Sequence, residues 1–254
     1  MYFDSHAHLD DRRFDEDRAE IFADLKNHGV GLIMNIGCDL ASSERSVALA
    51  EQYDFVYAAV GSHPDDADHV DGKLLDRYRA LAAHPKVRAI GEIGLDYHYE
   101  DVPRAQQIIA FEEQLELAEA LKLPVIVHER EAHGDAMDII ARHPEARGVF
   151  HCFSGSAEMA AEIVKLGMYI GLGGAVTFKN ARKPLEVAAC VPADRLVIET
   201  DCPYMTPVPF RGQRCDSSFI PYTARVIAGV RGVSEDEILD LTRKNANTLF
   251  GLEL

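Results

Sequence analysis

The chain has 254 residues and a formal net charge of -16 at pH 7, and 47% of its residues are hydrophobic. A chain of this length fits one large α/β barrel, so we expect a single domain over residues 1–254. The negative charge excludes broad electrostatic adhesion to nucleic acid or anionic membrane, which uses a basic face. It still allows an enzyme that acts on a phosphate group, because bound divalent cations reverse the field locally.

The amino-terminal segment MYFDSHAHLD lacks a basic region followed by an apolar stretch, and no run in the chain reaches the roughly 18 apolar residues that a membrane span needs. We therefore expect a cytoplasmic protein with no membrane contact and no obligate protein partner. Its five cysteines are scattered and show no CxxC spacing, which argues against a disulfide framework or a structural zinc site.

Short apolar, β-branched runs alternate along the chain with amphipathic stretches of helical period. This alternation predicts parallel strands joined by helices, and eight strands predict a (β/α)₈ TIM barrel. An open doubly wound sheet is the alternative, but no GxGxxG motif follows the first strand to support it. The predicted strands occupy residues 1–6, 31–37, 55–61, 87–94, 124–129, 148–153, 168–174 and 195–200.

Helical stretches follow the predicted strands. The stretch 105–123 has apolar residues at three- or four-residue spacing, which is typical of a helix with one buried face. After the eighth strand come a proline-rich loop, a helix near residues 219–230 and a last helix opened by the sequence SEDE. In that sequence Ser234 and Glu237 have the spacing of a capping box. The barrel is therefore expected to carry an extra C-terminal helix.

Residues suited to metal binding lie where the predicted strands end. The active site of a TIM barrel lies at the carboxyl ends of its strands, so these residues are expected to converge on one rim. Six ligands exceed what one four-coordinate catalytic zinc uses, which favours a two-metal site. The six residues are His6, His8, Glu92, His128, His151 and Asp201.

Each of these residues has a structural alternative when taken alone. His6 and His8 are two residues apart, and an extended chain sends both side chains to the same side, but a two-histidine motif is a weak signal. A single histidine in an apolar strand, such as His128 or His151, is more often a core residue. Glu92 ends an apolar strand, where an ionised carboxylate is costly to bury unless it is paired or bound to a metal. The convergence of all six on one rim favours a metal centre.

Several segments of the chain resemble, in order and spacing, the signature segments of TatD-type metal-dependent deoxyribonucleases of the amidohydrolase-like superfamily. These segments are FDSHAHLD, GEIGLDY, PVIVHER, FHCFSG and ETDCPY with PVPFRG. The resemblance covers essentially the whole chain, and it implies a distorted TIM barrel, two divalent metals and hydrolysis of DNA phosphodiester bonds. It also implies that Glu92 bridges the two ions, with His6, His8 and Asp201 on one and His128 and His151 on the other.

A two-metal site activates a water molecule and stabilises an in-line displacement at phosphorus. Glu92 is the expected bridge and Asp201 the expected general base, although Asp201 could instead only hold a histidine tautomer. Glu199, two residues earlier, is the better candidate for that orienting role. Nitrogen and oxygen ligands together suit zinc, manganese, iron or nickel better than magnesium. Because the resemblance also allows magnesium or manganese, the cofactor is predicted only as two divalent metal ions.

Three further residues are candidates for substrate contacts. His63 ends the third strand, Arg130 follows a predicted ligand by two residues, and Arg211 lies in the loop after the eighth strand, where barrels often bind phosphate. Each also has a structural alternative: a hydrogen bond to a loop, a salt bridge and a loop staple, respectively. Tyr97 is expected to pack rather than to stack on a base.

The chain departs from the family pattern at two places. Many relatives have a GxHPH segment after the third strand, whereas this chain reads GSHPDD with Asp65 in place of the second histidine. The loop RGQRCDS also lacks the Asn-Glu-Pro that many relatives show after Arg-Gly. These changes leave the predicted metal ligands intact and affect the expected substrate contacts.

We expect DNA as the substrate, with single strands or frayed ends preferred. A single strand threads into a site on a barrel rim, and an acidic protein lacks the cations that hold duplex phosphates over many positions. Amidohydrolase, lactonase or aminoacyl-tRNA deacylase activity on the same site is the alternative, because two ions polarise a carbonyl as readily as a phosphoryl group. Glu92 argues against amidohydrolases with a carbamate-bridged lysine. An inactive metal-binding regulatory protein is a further alternative, which the intact base and bridge disfavour.

Overall fold

The computed structural model describes residues 1–99 and 101–252. Eight parallel strands form one sheet, and their order in the sheet is their order in the chain. This is the strand arrangement of a TIM barrel, as predicted. The strands are β1 (Tyr2–Ala7), β2 (Val30–Ile36), β3 (Val56–Val60), β4 (Val87–Asp96), β5 (Val125–Arg130), β6 (Gly148–Phe150), β7 (Tyr169–Leu172) and β8 (Leu196–Ile198).

The first and last strands meet through a few contacts. Ser5 Oγ donates a hydrogen bond to the Ile198 carbonyl oxygen at 2.9 Å. Past the end of β8, Ala7 and Cys202 form a parallel bridge, and the amide of His8 donates to the Cys202 carbonyl oxygen at 2.8 Å. Because β8 has only three residues, the segment after it completes the closure, and the barrel is distorted.

Helices join the strands and cover the outside of the barrel. The two predicted helices after the eighth strand are present, and the last one begins with the predicted capping box between Ser234 and Glu237. The ring of Phe250 in this last helix lies 5.8 Å from the ring of Phe3 in β1. The helices are α1 (Arg18–Leu25), α2 (Leu40–Gln52), α3 (Gly72–Ala82), α4 (Arg104–Leu121), α5 (His133–Arg142), α6 (Ala157–Lys165), α7 (Arg182–Cys190), α8 (Ile220–Arg231) and α9 (Glu235–Phe250).

Strands β6 and β8 are shorter than the sequence pattern predicts. The predicted runs continue to residues 153 and 200, but the chain leaves the sheet after Phe150 and Ile198. Just beyond these ends, Cys152 and Asp201 have φ angles of 42° and 56°. Such left-handed conformations end an extended strand. As a result, His151 and Asp201 lie on the loops at the carboxyl ends of their strands.

The strands are buried on both faces, as expected for parallel strands covered by helices. Every residue of β1 is buried, and the main core cluster contains residues of all eight strands. None of the helices in the described part of the chain combines the length and apolar character that a bilayer span requires. The carboxyl ends of the strands, where the barrel opens, carry the polar residues discussed next.

Candidate metal centre

The six residues singled out from the sequence lie together at the carboxyl ends of the strands. Glu92, which is 3% exposed, is at the centre of the group. Its Oε1 lies 2.8 Å from His128 Nδ1 and 2.7 Å from His151 Nε2. Its Oε2 lies 3.4 Å from His6 Nε2 and 3.6 Å from His8 Nε2. Each oxygen of this carboxylate therefore faces one pair of imidazole nitrogens.

The nitrogens within each pair are close to each other. His6 Nε2 and His8 Nε2 are 3.0 Å apart, and His128 Nδ1 and His151 Nε2 are 3.2 Å apart. His6 in β1 and His8 just after it reach the same point because side chains two residues apart in an extended chain point the same way. Two nitrogens and a carboxylate oxygen converging on one point form a typical donor set for a divalent cation.

Hydrogen bonds on the far side of the rings fix which nitrogen offers a lone pair. His8 Nδ1 lies 3.0 Å from the carbonyl oxygen of Ile36, which only accepts, so Nδ1 carries the proton and Nε2 presents its lone pair to the cluster. His128 is held the opposite way round, with Nε2 3.2 Å from Asp96 Oδ2 and Nδ1 facing Glu92. Such orienting partners are typical of histidine ligands, so these residues fit divalent metal.

His151 faces the carboxylate of Glu199, at a distance longer than the contacts of His8 and His128 and without a hydrogen bond. Its Nδ1 lies 3.4 Å from Glu199 Oε1, and that oxygen also accepts a hydrogen bond from the Cys152 amide at 2.5 Å. Glu199 is fully buried. Gly171 makes room for this carboxylate, because a Cβ at that position would lie 2.6 Å from Glu199 Oε2. The role suggested for Glu199 from the sequence therefore has a geometric basis.

Asp201 approaches the pair formed by His6 and His8. Its Oδ1 lies 3.8 Å from His6 Nε2 and 3.6 Å from His8 Nε2. Its amide donates to the His6 carbonyl oxygen at 2.9 Å, which ties the loop after β8 to β1. Asp201 is thus on the same side of Glu92 as these two histidines, and His128 and His151 are on the other.

Mutual contacts in the cluster shift the pKa values of its carboxylate and imidazole groups. Burial opposes ionisation of Glu92, but the imidazoles of His151 and His6 outweigh it and hold the pKa of this carboxyl well below its usual range. Burial opposes protonation of His151, yet Glu92 and Glu199 hold its pKa well above its usual value. The pKa of His128 is raised against burial by Asp96 and Glu92. Protons and metal cations therefore compete for the same nitrogens.

One glycine brings β4 and β5, which carry Glu92 and His128, unusually close. Gly94 in β4 has a φ angle of 143°, and a Cβ there would lie 2.0 Å from the His128 carbonyl oxygen. Only glycine fits this backbone and this approach. Gly94 lies between Glu92 and Asp96 in β4. Its close approach to β5 places the His128 ring in contact with both of these carboxylates.

A cavity of about 520 Å³ opens above the cluster. Of the three predicted substrate contacts, His63 and Arg130 line it, and His63 Nε2 lies 3.9 Å from Glu92 Oε1. The structure does not bring Arg211 to this cavity: its Nη1 donates to the Thr206 carbonyl oxygen at 2.9 Å, and its guanidinium carbon lies 3.9 Å from the centre of the Phe178 ring. These contacts match the loop-stapling alternative for Arg211.

Some residues of the site were not found from the sequence. Asp96 was missed because the predicted strand ends at residue 94, two residues before it. Cys38, whose Sγ is 3.7 Å from Glu92 Oε2, lies in a turn that shows no ligand spacing. Two tyrosines at the cavity, Tyr99 and Tyr204, were also missed. Tyr97 packs as expected: it is 9% exposed and donates to Asp135.

Known proteins match this chain over nearly its whole length. The family model described as TatD related DNase matches residues 3–251. YabD of Bacillus subtilis, described as an uncharacterized metal-dependent hydrolase, is 44% identical over 98% of this chain and 99% of its own length. The 3'-5' ssDNA/RNA exonuclease TatD of Cronobacter turicensis is 37% identical over 98% of this chain and 97% of its own length.

A solved structure agrees with these matches. The crystal structure of YjjV, a TatD homolog from Escherichia coli K12, superposes with a TM-score of 0.93 and 34% identity, covering 99% of this chain and 98% of its own. The fold and these matches define a metal-dependent hydrolase. Within that class, the chain belongs to the TatD family.

Proposed function

We propose that this hydrolase cleaves DNA phosphodiester bonds with two divalent metal ions. The observation that carries the proposal is the position of Glu92 between two pairs of imidazole nitrogens, with one carboxylate oxygen on each pair. This arrangement supports two ions that share one carboxylate, as in two-metal phosphoryl-transfer sites. The metal-dependent hydrolases among the relatives are consistent with it.

The chain's own residues have separable roles in this proposal. His6, His8 and Asp201 would hold one ion, and His128 and His151 would hold the other. When bound, the ions would lower the pKa of a water molecule and neutralise charge on the phosphoryl oxygens. The Asp201 carboxylate faces the cavity and accepts the proton of the attacking water.

Arg130 is the cationic side chain on the described wall of the cavity, and it binds a phosphate oxygen of the substrate. Arg130 is the last residue of β5, three residues before α5 begins. His63 lies beside Glu92 and His128, with its ring 4.3 Å from the His128 ring. It contacts the substrate or completes the second ion's ligands.

Single strands or frayed ends are the preferred form of the substrate. The scissile phosphate must descend to Glu92, which is nearly buried at the floor of the cavity. A single strand can bend into such a cavity, whereas a duplex presents its backbone on a wide cylinder. The relative from Cronobacter turicensis, an exonuclease of single-stranded DNA and RNA, supports this preference.

An activity panel tests the proposal. The purified protein, loaded in turn with zinc, manganese, magnesium, iron and nickel, is assayed on single-stranded DNA, blunt duplex DNA, a chromogenic phosphodiester, and a set of esters and lactones. We expect metal-dependent cleavage of single-stranded DNA faster than of duplex, and two ions per chain by elemental analysis. Brisk ester or lactone hydrolysis without DNA cleavage would refute the nuclease assignment, and a single bound ion at saturation would refute the two-metal site.

A further inference from the structure

Two exposed tyrosines stand at the mouth of the catalytic cavity. Among the tyrosine and phenylalanine side chains that the structure describes, only Tyr99 and Tyr204 are largely exposed, at 49% and 48%. Both line the cavity above the metal cluster. Exposed aromatic rings at a site usually bind a ligand, because they present apolar area to solvent without burying it in the fold.

The barrel places these two rings on opposite sides of the cavity. Tyr99 follows β4 and Tyr204 follows β8, and three strands lie between β4 and β8 in either direction around the barrel. Each tyrosine is three residues beyond an acidic residue of the cluster, Asp96 or Asp201. Glu92 and its histidines therefore lie between the rings.

Each ring is supported on one side by an arginine. The guanidinium carbon of Arg130 lies 5.1 Å from the centre of the Tyr99 ring, and that of Arg13 lies 4.1 Å from the centre of the Tyr204 ring. The turn that carries Tyr204 is also fixed, because its amide donates to the Asp201 carbonyl oxygen at 2.9 Å. Rings held in this way lose little freedom when a flat group stacks on the exposed half.

We infer that Tyr99 and Tyr204 are stacking sites for nucleobases on either side of the scissile phosphate. This inference rests on the proposed nuclease function and names the determinant of its preference for unpaired strands. A base can stack on a tyrosine only when it is not paired inside a duplex. Stacking also adds affinity without cationic side chains, which suits a chain with a net charge of -16.

A second cavity adjoins Tyr204 and agrees with this assignment. It has a volume of about 550 Å³ and shares His8, Cys38, Asp39 and Tyr204 with the catalytic cavity. Its wall carries four carboxylates and two guanidiniums, a formal charge of -2 with the histidine neutral: those of Asp10, Asp11, Asp15 and Asp39, and of Arg12 and Arg45. Carboxylates repel a phosphate but accept hydrogen bonds from the amino groups of bases. The surface next to Tyr204 therefore suits a base better than a phosphate.

The inference is tested with Tyr99→Ala and Tyr204→Ala, together with Tyr99→Phe and Tyr204→Phe, which keep the ring. Ile109→Ala, at an exposed apolar residue of α4, is the control for a surface change away from the cavity. Each manganese-loaded protein is assayed on a single-stranded oligonucleotide, on the same oligonucleotide with abasic sites flanking the cleaved bond, and on a chromogenic phosphodiester.

We expect each alanine variant to raise KM for the full oligonucleotide by about 5- to 100-fold at nearly constant kcat, the range expected for one lost base stack. The abasic oligonucleotide and the chromogenic substrate should be cleaved as by the wild type, and the phenylalanine variants should stay within about threefold of it. Unchanged KM in both alanine variants, or an equal loss on all three substrates, would overturn the stacking role. Absence of oligonucleotide cleavage by the wild type would instead refute the proposed nuclease function.

Discussion

Replacing Glu199 by glutamine should weaken metal binding without unfolding the protein. Glu199 is not one of the six predicted ligands, although its carboxylate lies within 4.8 Å of a ring nitrogen of His6 and of His151. Its Oε1 lies between the amide of Cys152, at 2.5 Å, and Nδ1 of His151, at 3.4 Å. Glutamine has nearly the same size and keeps an oxygen for the Cys152 amide. The change removes the negative charge that holds the His151 proton on Nδ1 and leaves Nε2 free for the metal.

The magnitude follows from these two contacts. The lost stability of the metal-free protein should not exceed about 1 kcal/mol, because one hydrogen bond is weakened and none is removed. Metal affinity should fall about 10- to 100-fold, the usual effect of removing the partner of a histidine ligand. The loss should fall mainly on the ion predicted to bind His128 and His151, because Glu199 Oε1 faces Nδ1 of His151.

Titration with a competing chelator measures the affinity, and thermal unfolding of the metal-free protein measures the stability. Glu129→Gln is the matched control, because Glu129 is also a buried carboxylate that accepts a backbone amide, from Ala132 at 2.7 Å, and contacts an imidazole, that of His133. It lies outside the cluster and should leave metal affinity unchanged. Equal losses in both variants, or unchanged affinity in Glu199→Gln, would refute this reasoning.

Three further predictions concern the same site and its surroundings. Glu92→Gln should lose both ions and turnover, whereas Asp201→Asn should keep at least one ion and lose mainly turnover. Elemental analysis measures the bound ions, and steady-state kinetics measures kcat. A near-normal kcat in Asp201→Asn would show that Asp201 is not the general base. The pKa of His151 is raised well above 6.5, so protons compete with metal for this residue. Apparent metal affinity should therefore fall as pH drops from 8 to 6 in calorimetric titrations, by at most about tenfold per pH unit, and a flat profile would contradict this. Tyr97→Phe removes a 2.6 Å hydrogen bond to Asp135 and should cost about 1 kcal/mol in denaturant unfolding while kcat stays unchanged.

The fold was largely predictable from the sequence because each strand is a short apolar run, and parallel strands covered on both faces need such runs. The candidate ligands were predictable for a related reason. A polar residue such as Glu92 or His128 at the end of an apolar run has no structural explanation within that strand. The barrel rule then brings the ends of distant strands together without any knowledge of their contacts.

The partners of the histidines were less predictable because they depend on contacts between strands. Strand β4 continues to Asp96 because residues 94–96 pair with His128, Glu129 and Arg130 of β5. The hydrophobic pattern of β4 alone does not show that pairing. The same continuation sets which tyrosine is buried: Tyr97 donates its amide to the Arg130 carbonyl oxygen and packs, while Tyr99 emerges at the cavity.

The acidity of the chain and its proposed substrate are compatible because of where the charges lie. Of the described residues that line the catalytic cavity, six are carboxylates and one is a guanidinium, which gives a formal charge of -5 with the histidines neutral. Two divalent ions would bring this to about -1, so a phosphate can approach only when the ions are bound. With little electrostatic attraction left beyond the ions and Arg130, the remaining affinity must come from contacts that carry no charge. The exposed rings of Tyr99 and Tyr204 offer such contacts, and binding through them has a shallow dependence on salt.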